Sequence, residues 1–399
     1  MLDPRLIAFY LPQYHPIPEN DRWWGAGFTD WTNVRRVAPR FRGHAQPHVP
    51  GELGAYDLRS PQVREAQAAL ARAHGLAGFC YYHYWFGGRR LLEAPFDAVL
   101  ASGRPDFPFC LCWANEPWTR RWDGGSAEVL VAQPYDDEDD RRHIAALLPA
   151  LRDPRYVRVR GRPLLLVYRA SALPDARRTA ATWRAAARAG GVGDLFLCNV
   201  ESFPSEHGLA PRIEFDAGVE FAPDWGCLGR AARRGAAWRA LRRLGLSSAA
   251  FAADVVGDYD ALAAAMLRKP AAPYPRFPCV MPSWDNAARR ATGAVIFRGA
   301  TPARYERWLE ATLRRARATA GGEAIVFVNA WNEWAEGCHL EPCARFGRGF
   351  LEATRRALAA VRSAGDPAPS AHGGAPMIEE TAGPRTRGAE GRGRSRDVR

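Results

Sequence analysis

The chain has 399 residues, of which 47% are hydrophobic, so it can bury the core of one large barrel or of two ordinary domains. The formal net charge is +12, but Lys269 is the only lysine and the arginines are scattered over alanine-rich segments, so nucleic acid is not an expected partner. The chain enters a strand soon after Met1 and contains no apolar run near the ~20 residues of a membrane span, so we expect a cytoplasmic protein without a signal peptide.

Eight short apolar segments are predicted to be strands, separated by helices or long loops. They are Leu6–Leu11, Gly78–Tyr84, Phe107–Trp113, Pro163–Tyr168, Leu195–Val200, Ala217–Phe221, Phe277–Met281 and Ile325–Val328. Most of them end in polar and aromatic residues, which is typical of a (β/α)₈ barrel, whose active site lies at that end of the strands. We therefore predict an α/β protein with a single TIM-type barrel domain and long βα loops over residues 1–362. Residues 363–399 are rich in Gly, Pro, Ser and Arg, and we predict a disordered tail there.

The segments between the strands carry further signals. Residues 12–60 form a long loop with little helical pattern, and loops of this length inside a compact domain are usually functional. This loop holds Trp23, Trp24, Phe28, Trp31, His44, Gln46 and His48. The segment 226–270 is predicted to be helical and is rich in arginine over 230–243. It could lie on an anionic membrane surface, but an outer helix with an ordinary buried stripe is the preferred interpretation.

The eight cysteines do not indicate a disulfide framework, which belongs to short secreted chains. Most of them stand alone inside apolar segments, as buried and reduced thiols do. Cys338, His339 and Cys343 lie close together in the sequence, but their spacing matches none of the paired zinc patterns. We therefore expect no metal and no other cofactor.

The last predicted strand ends in the run Trp331-Asn332-Glu333-Trp334-Ala335-Glu336. Two carboxylates flanked by indole rings suit glycosidic chemistry, because one acid can protonate a departing oxygen while the other takes a proton or attacks. An alternative is a helix N-terminus, whose acids face the dipole and whose tryptophans belong to the core. We favour an active site, since a core strand seldom ends in two indoles, an amide and two acids unless they face something polar.

Four motifs occur in order along the chain. They are Phe9-Tyr-Leu-Pro-Gln-Tyr-His15, Trp113-Ala-Asn-Glu-Pro-Trp118, Trp284-Asp-Asn-Ala-Ala-Arg-Arg290 and Trp331-Asn-Glu-Trp-Ala-Glu-Gly337. Together they resemble the WbsX branch of proteins related to glycoside hydrolase family 99, the endo-α-mannosidase family, from about Arg5 to Leu358. The resemblance implies a (β/α)₈ barrel that cleaves internal α-mannosidic linkages with retention. It also implies that Glu333 deprotonates the sugar's own 2-hydroxyl and that Glu336 acts as acid and then as base.

The same resemblance implies a sugar-binding cleft around the two catalytic acids. Its members would be Tyr10, Gln13, His15, Tyr82, Tyr84, Trp113, Asn115, Glu116, Trp284, Asp285 and Asn332. Several of these positions have another interpretation. Tyr82, Tyr84 and Trp113 could belong to the barrel core, and Asp285 could form a structural ion pair with Arg289, four residues later.

The expected function is that of a carbohydrate-active enzyme of surface polysaccharide metabolism, of the O-antigen type. It would be a retaining glycoside hydrolase or transglycosylase whose substrate is an α-linked, mannose-like oligosaccharide or polysaccharide. A second hypothesis is a glycosyltransferase of lipopolysaccharide or O-antigen biosynthesis, since WbsX-like proteins are found with such enzymes. The chain has no Gly-rich phosphate loop opening a helix, which disfavours a nucleotide-binding fold. A third hypothesis, a non-catalytic glycan-binding barrel, is disfavoured because both acids are present.

Overall fold

The computed structural model describes most of the chain. It covers residues 3–120, 128–228, 240, 243–245, 253–319 and 323–363. The predicted tail from residue 364 onwards and all but two residues of the arginine-rich segment 230–243 lie outside the described residues, so both stay predictions. Among the described helices, none is both long enough and apolar enough to cross a membrane.

Nine parallel strands form a nearly closed barrel. They are β1 Arg5–Tyr10, β2 Leu76–Phe86, β3 Phe109–Trp113, β4 Arg162–Val167, β5 Phe196–Glu201, β6 Ala217–Glu220, β7 Arg276–Phe277, β8 Cys279–Val280 and β9 Ile325–Val328. Their order around the barrel is β7-β6-β5-β4-β3-β2-β1-β9-β8, and every neighbouring pair is parallel. The predicted TIM-type (β/α)₈ barrel is therefore confirmed.

The seventh strand position of the barrel is interrupted at Pro278. The sequence predicts one strand over Phe277–Met281, but the structure has two short strands there, β7 and β8. β7 pairs with β6, and β8 pairs with β9 on the other side. Proline has no backbone N–H to donate to a ladder, so the interruption falls where the chain changes from one neighbour to the other.

Helices surround the barrel and fill its loops. Within the described residues they are α1 Pro18–Trp24, α2 Asp30–Arg36, α3 Pro61–Ala73, α4 Ala94–Ser102, α5 Asp137–Arg152, α6 Ala176–Ala189, α7 Tyr259–Leu267, α8 Pro302–Thr319 and α9 Gly349–Ser363. α1 and α2 lie in the long loop after β1, where the sequence shows little helical pattern. Each has seven residues, too few for a clear period, and α2 is stabilised by a reciprocal cap between Thr29 and Thr32.

Short strands complete the loops. Arg89–Leu91 pairs with β2, Arg158–Val159 with β4, Trp118–Thr119 with Val129–Val131, Val255–Asp258 with Val295–Arg298, and Asn332–Glu333 with Cys338–His339. The last of these pairs follows β9 and carries the first predicted catalytic acid.

Aromatic side chains fill the interior of the barrel. The ring of Phe9 lies 5.6 Å from Tyr82, 5.8 Å from Phe221 and 5.4 Å from Phe327, measured between centroids. Phe9 and Phe327 are fully buried. The barrel is thus packed along its axis, and open space begins only above Tyr82 and Phe221, at the C-terminal ends of the strands.

Candidate active site

A cavity of about 260 Å³ opens at the C-terminal ends of the barrel strands. Its charged lining residues are Glu116, Arg289, Arg290, Glu333 and Glu336. Its aromatic lining residues are Tyr82, Tyr84, Trp118, Tyr168, Phe203, Phe221, Trp225 and Trp284. A concave site with many aromatic walls and a few converging charges is suited to a ligand that offers both apolar faces and hydroxyl groups.

The turn that carries Glu333 is held by the loop after β1. The amide side chain of Asn332 accepts from the backbone N–H of Leu11 at 2.7 Å and donates to the Leu11 carbonyl at 3.0 Å. The hydroxyl of Tyr14 donates to the carbonyl of Asn332 at 2.6 Å and accepts from the N–H of Trp334 at 3.1 Å. Both neighbours of Glu333 in the chain are therefore fixed, and its side chain has little freedom to move.

Glu336 is held from the opposite side, by the loop after β8. The backbone N–H of Asp285 donates to the carbonyl of Glu336 at 2.7 Å. The next residue, Gly337, has φ +57°, and a Cβ there would lie 3.0 Å from the Cβ of Asp285 and 3.1 Å from its backbone. Glycine is required at this position, both for the left-handed backbone and for the close approach of the two loops.

Arg289 joins the two predicted catalytic acids. Its Nη1 donates to Glu336 Oε1 at 2.9 Å, and its Nη2 donates to Glu333 Oε2 at 2.9 Å. The same Nη2 also donates to Asp30 Oδ2 at 2.8 Å. Arg289 is only 5% exposed. One buried guanidinium thus contacts three carboxyl groups. Its single positive charge cannot neutralise three carboxylates, so ion pairing alone does not balance the charge of the cluster.

The surplus of acid and the burial raise the pKa of both glutamates. Burial is the largest effect on Glu333 and raises its pKa to about 8. The positive charge of Arg289 lowers this pKa, and the neighbouring Glu336 raises it further. Burial also raises the pKa of Glu336, again against the effect of Arg289. A carboxyl group with a raised pKa can carry a proton near neutral pH, as a general acid must.

A further buried carboxyl group stands behind the site. Glu341 accepts from the indole of Trp334 at 2.6 Å, from Tyr56 at 2.8 Å and from Gln67 at 2.7 Å. Burial raises the pKa of Glu341 to about 7, although these hydrogen bonds act in the opposite direction. Glu341 fixes the ring of Trp334 and, through it, the turn between Glu333 and Glu336.

The structure brings together six of the predicted site residues. Tyr82, Tyr84, Glu116, Trp284, Glu333 and Glu336 all line the cavity. Glu116 pairs with Arg169 at 2.8 Å, and burial raises the pKa of Glu116 despite that pair. Tyr82 and Tyr84 thus line the cavity, and Tyr82 also stacks on Phe9 of the barrel core, so a role in binding stays a prediction.

Other predicted site residues lie behind the cavity wall. Trp113 is 1% exposed and packs on Trp183 and His143. Asn115 binds the backbone of Arg169 through both ends of its amide. The hydroxyl of Tyr10 donates to Gln67. These residues support the site but do not line the cavity. The same is true of Asn332.

Three predicted site residues occupy other places. Gln13 donates to the hydroxyl of Tyr84 at 3.3 Å and lines a smaller neighbouring pocket, and His15 is buried. Asp285 contacts His44, with 2.6 Å between Asp285 Oδ2 and His44 Nε2. The side chain of Asp285 is thus hydrogen-bonded to His44, whereas Arg289 contacts Asp30, Glu333 and Glu336.

Arg289 and Asp30 belong to the site, although the sequence does not indicate them as members of it. The spacing of Asp285 and Arg289 suggests a pair on one helical face, but residues Asn286–Ala288 form a 3₁₀ turn, where positions four apart do not face each other. Asp30 opens α2, in a loop that the sequence marks only as long. Aromatic residues after β4 and β6, Tyr168 and Trp225, were also missed as lining residues.

Cys338, His339 and Cys343 lie close together in the sequence, and in the structure the first two have contacts of their own. The thiol of Cys338 donates to the carbonyl of Asn329 at 2.7 Å, and the ring of His339 stacks on Trp334 at 3.7 Å. Within the described ranges, no group of three or more His, Cys, Asp or Glu side chains is placed to hold a metal ion.

The fold and the site define a TIM-type barrel with two buried glutamates in an aromatic-lined cleft at the C-terminal ends of its strands. The chain belongs to the WbsX family: residues 6–354 match the family model described as "Glycosyltransferase WbsX". This agrees with the resemblance found in the four sequence motifs.

Relatives and solved structures support this placement. Two relatives, from two strains of Xanthomonas campestris pv. campestris, are described as the uncharacterised protein WxcX. Each is 47% identical to this chain over 359 residues, which is 90% of the chain. The chain spans about half the length (50%) of these relatives. A GH99 endo-α-mannosidase from Bacteroides thetaiotaomicron, in complex with bis-tris propane, is similar in structure, with a TM-score of 0.53 and 15% identity over 91% of this chain and 98% of that one. A "glycoside hydrolase-like protein" has a TM-score of 0.56 and 14% identity, over 90% and 94% of the two chains. At these identities the two structures show the fold.

Proposed function

We propose that the protein is a carbohydrate-active enzyme that acts on α-linked, mannose-like units of a surface polysaccharide of the O-antigen type. It works with retention, as a glycoside hydrolase or transglycosylase. The observation that carries the proposal is the placement of Glu333 and Glu336 on one guanidinium inside an aromatic-lined cavity. The shared fold with an endo-α-mannosidase and the membership of the WbsX family support it.

Each acid takes one role in the proposed mechanism. Glu333 removes the proton of the sugar's 2-hydroxyl, whose oxygen attacks the anomeric carbon and forms a 1,2-anhydro sugar while the glycosidic bond breaks. Glu336 donates a proton to the departing oxygen. It then removes a proton from the incoming water or acceptor hydroxyl, which opens the anhydro ring as Glu333 returns its proton to the 2-oxygen. The net result is transfer of the glycosyl group with retained configuration.

The environment of each acid supports these roles. The raised pKa of Glu336 lets it hold the proton that a leaving oxygen requires. Arg289 contacts both carboxyl groups at 2.9 Å and opposes the rise in the pKa of each, so it helps Glu333 to ionise as a base must. The choice of Glu333 as the base follows the family resemblance. The aromatic walls would stack on the C–H faces of sugars on both sides of the cleaved bond.

The test is to incubate the purified protein with the polysaccharide of its host and with α-mannans, beside the Glu333→Gln variant. Shorter fragments, detected by mass spectrometry from the wild type alone, are the expected result. Fragments of equal yield from the variant would contradict the role of Glu333. Anomeric configuration, followed by NMR during the first turnovers, separates retention from inversion.

A second candidate function is transfer from an activated sugar donor. The family description names a glycosyltransferase, and the exposed Arg290 lines the cavity, where a donor phosphate would need a cation. A nucleotide sugar at 100 times its Kd would add about 2.7 kcal/mol to the free energy of unfolding. A rise of the melting temperature with nucleotide sugars, together with no fragments from polysaccharide, would favour this function over hydrolysis.

A further inference from the structure

A second and larger cavity, of about 550 Å³, lies beside the candidate active site. It is formed by residues 41–49 of the long loop after β1, by 283–285 and 296–301 after β8, and by 339–350 after β9. Among the described lining residues, Trp284 alone is common to both cavities. The second cavity is therefore a separate compartment that adjoins the first across one indole ring, and nothing in the proposed mechanism uses it.

Two arginines give this cavity a positive rim. Arg298 and Arg345 are exposed lining residues, and neither has a carboxylate within ion-pair distance in the part of the chain that the structure describes. The guanidinium of Arg298 stacks over Phe41 at 5.5 Å, and that of Arg345 stacks over Phe346 at 4.9 Å. Stacking uses the face of a guanidinium and leaves its N–H edge for an acceptor.

Two long helices begin at the same cavity. Thr301, a lining residue, immediately precedes α8, and Phe350, another, lies in the first turn of α9. α8 has 18 residues and α9 has 15. The N-terminus of a helix carries partial positive charge, so both helices add to the field of the arginines. The loops after β8 and β9 follow the seventh and eighth strand positions of the barrel. These are the loops where TIM barrels often bind phosphate.

The carboxylate inside the cavity, Asp285, accepts hydrogen bonds from the cavity's own wall. His44 Nδ1 accepts from the backbone N–H of Arg40 at 3.0 Å, so its Nε2 carries the proton and donates to Asp285. Another oxygen of Asp285 accepts from the N–H of Ala287 at 3.0 Å. Asp285 is thus occupied with its own hydrogen bonds, and the two arginines at the rim keep their capacity to bind an anion.

Neutral polar groups in the wall suit hydroxyl groups. His339 Nδ1 faces the carbonyl of Glu341 at 3.1 Å and must donate, so His339 Nε2 accepts from His48 Nδ1 at 2.9 Å. This leaves Nε2 of His48, a lining residue, as an acceptor. An acceptor without a partner in the wall complements the donor of a sugar hydroxyl.

We propose that this second cavity binds a sugar residue that carries an oxyanion, a carboxylate or a phosphate, so that the substrate is an acidic glycan. Arg298 and Arg345 contact the oxyanion, and His48 contacts a hydroxyl of the same residue. The inference rests on the proposed glycan chemistry, and it adds the class of substrate. The acidic residue occupies the second cavity while the bond to be cleaved lies beside Glu333 and Glu336.

The test measures equilibrium binding by calorimetry in the Glu333→Gln background, so it does not depend on turnover. The ligands are glucuronic acid, mannose 6-phosphate, mannose and inorganic phosphate. The variants are Arg298→Ala with Arg345→Ala, and Arg314→Ala as a control, because Arg314 is an exposed arginine on α8 that pairs with Glu310 and does not line the cavity. Circular dichroism and melting curves verify that each variant is folded.

We expect at least one of the two acidic sugars to bind more tightly than mannose and inorganic phosphate. The double variant should weaken that binding about 10-fold or more, since charge-assisted hydrogen bonds are lost, and the Arg314→Ala control should not. Which acidic sugar binds better identifies carboxylate or phosphate as the recognised group. Equal binding of mannose, equal binding of inorganic phosphate, or an unchanged affinity in the double variant would each overturn the proposal. None of these outcomes bears on whether the wild type cleaves a polysaccharide, which the fragment assay decides.

Discussion

Replacement of Arg289 by methionine is the most informative perturbation of the site. The guanidinium is buried and contacts Asp30, Glu333 and Glu336, so its removal leaves three carboxyl groups together without a cation. Breaking a buried ion pair by removal of one partner costs about 3–5 kcal/mol. The loss in this cluster should depend strongly on pH, because the carboxyl groups can take up protons in place of the missing charge.

The direction of the pH dependence follows from the raised pKa values of the two glutamates. A carboxyl group whose pKa is higher in the folded state binds more protons there, so the free energy of unfolding falls as pH rises from the unfolded pKa to the folded one. For Glu333 this window extends from its ordinary value of 4.5 to about 8. Loss of Arg289 removes the largest opposing effect on this pKa and widens the window. The variant should therefore be nearly as stable as the wild type at about pH 5 and about 3 kcal/mol less stable at about pH 8.5.

Urea unfolding at the two pH values measures this difference, with Arg290→Met as the matched control. Arg290 is the next residue and lines the same cavity, but it is exposed and forms no ion pair within the described residues, so its replacement should change stability by less than about 0.5 kcal/mol at either pH. An equal loss for Arg289→Met at both pH values would refute the reasoning, since it would mean that the carboxyl groups do not take up protons. A similar loss for Arg290→Met would show that the effect is not specific to the buried cluster.

Three further outcomes are expected. Glu336→Gln should abolish turnover of substrates with poor leaving groups but spare turnover of activated aryl glycosides, whereas Glu333→Gln should abolish turnover of both substrate types. Steady-state kinetics with the two substrate types measures this difference. Equal, mild losses of activity in both variants would contradict the roles. For the wild type, the acid limb of the kcat/KM profile should lie well above the ordinary glutamate pKa of 4.5, because burial raises the pKa of Glu333, which must lose its proton to act as a base; an acid limb near 4.5 would contradict this role. Gly337→Ala should destabilise the protein by about 1–3 kcal/mol in urea unfolding, because a Cβ at φ +57° meets Asp285, and a change within error would mean that the two loops separate easily.

The barrel and the two acids are visible in the sequence for a physical reason. Strands of a parallel barrel are buried on both faces, so they stand out as short apolar runs, and β9 is one of these. Side chains that follow such a run, as Glu333 and Glu336 do, meet at one end of the barrel whatever the loops do. Local pattern and topology together therefore suffice for the fold and for the placement of the two acids.

Contacts between distant loops are not encoded in any local pattern. The pairing of Arg289 with Asp30 joins residues separated by 259 positions, and the change of partners at Pro278 depends on both neighbouring strands. The second cavity likewise combines parts of three loops, so its arginines look like ordinary surface residues in the sequence. Trp113 shows the opposite case, since it belongs to a recognisable motif but lies in the core.

The single indole of Trp284 fixes a spacing between the two cavities. A polysaccharide that filled both at once would have its acidic residue at a set number of sugar units from the bond beside Glu333 and Glu336. The enzyme would then measure along its substrate from the charged residue. Cleavage of a regularly repeating polymer would occur once per repeat, and the products would differ from one another by whole-number multiples of the repeat's mass.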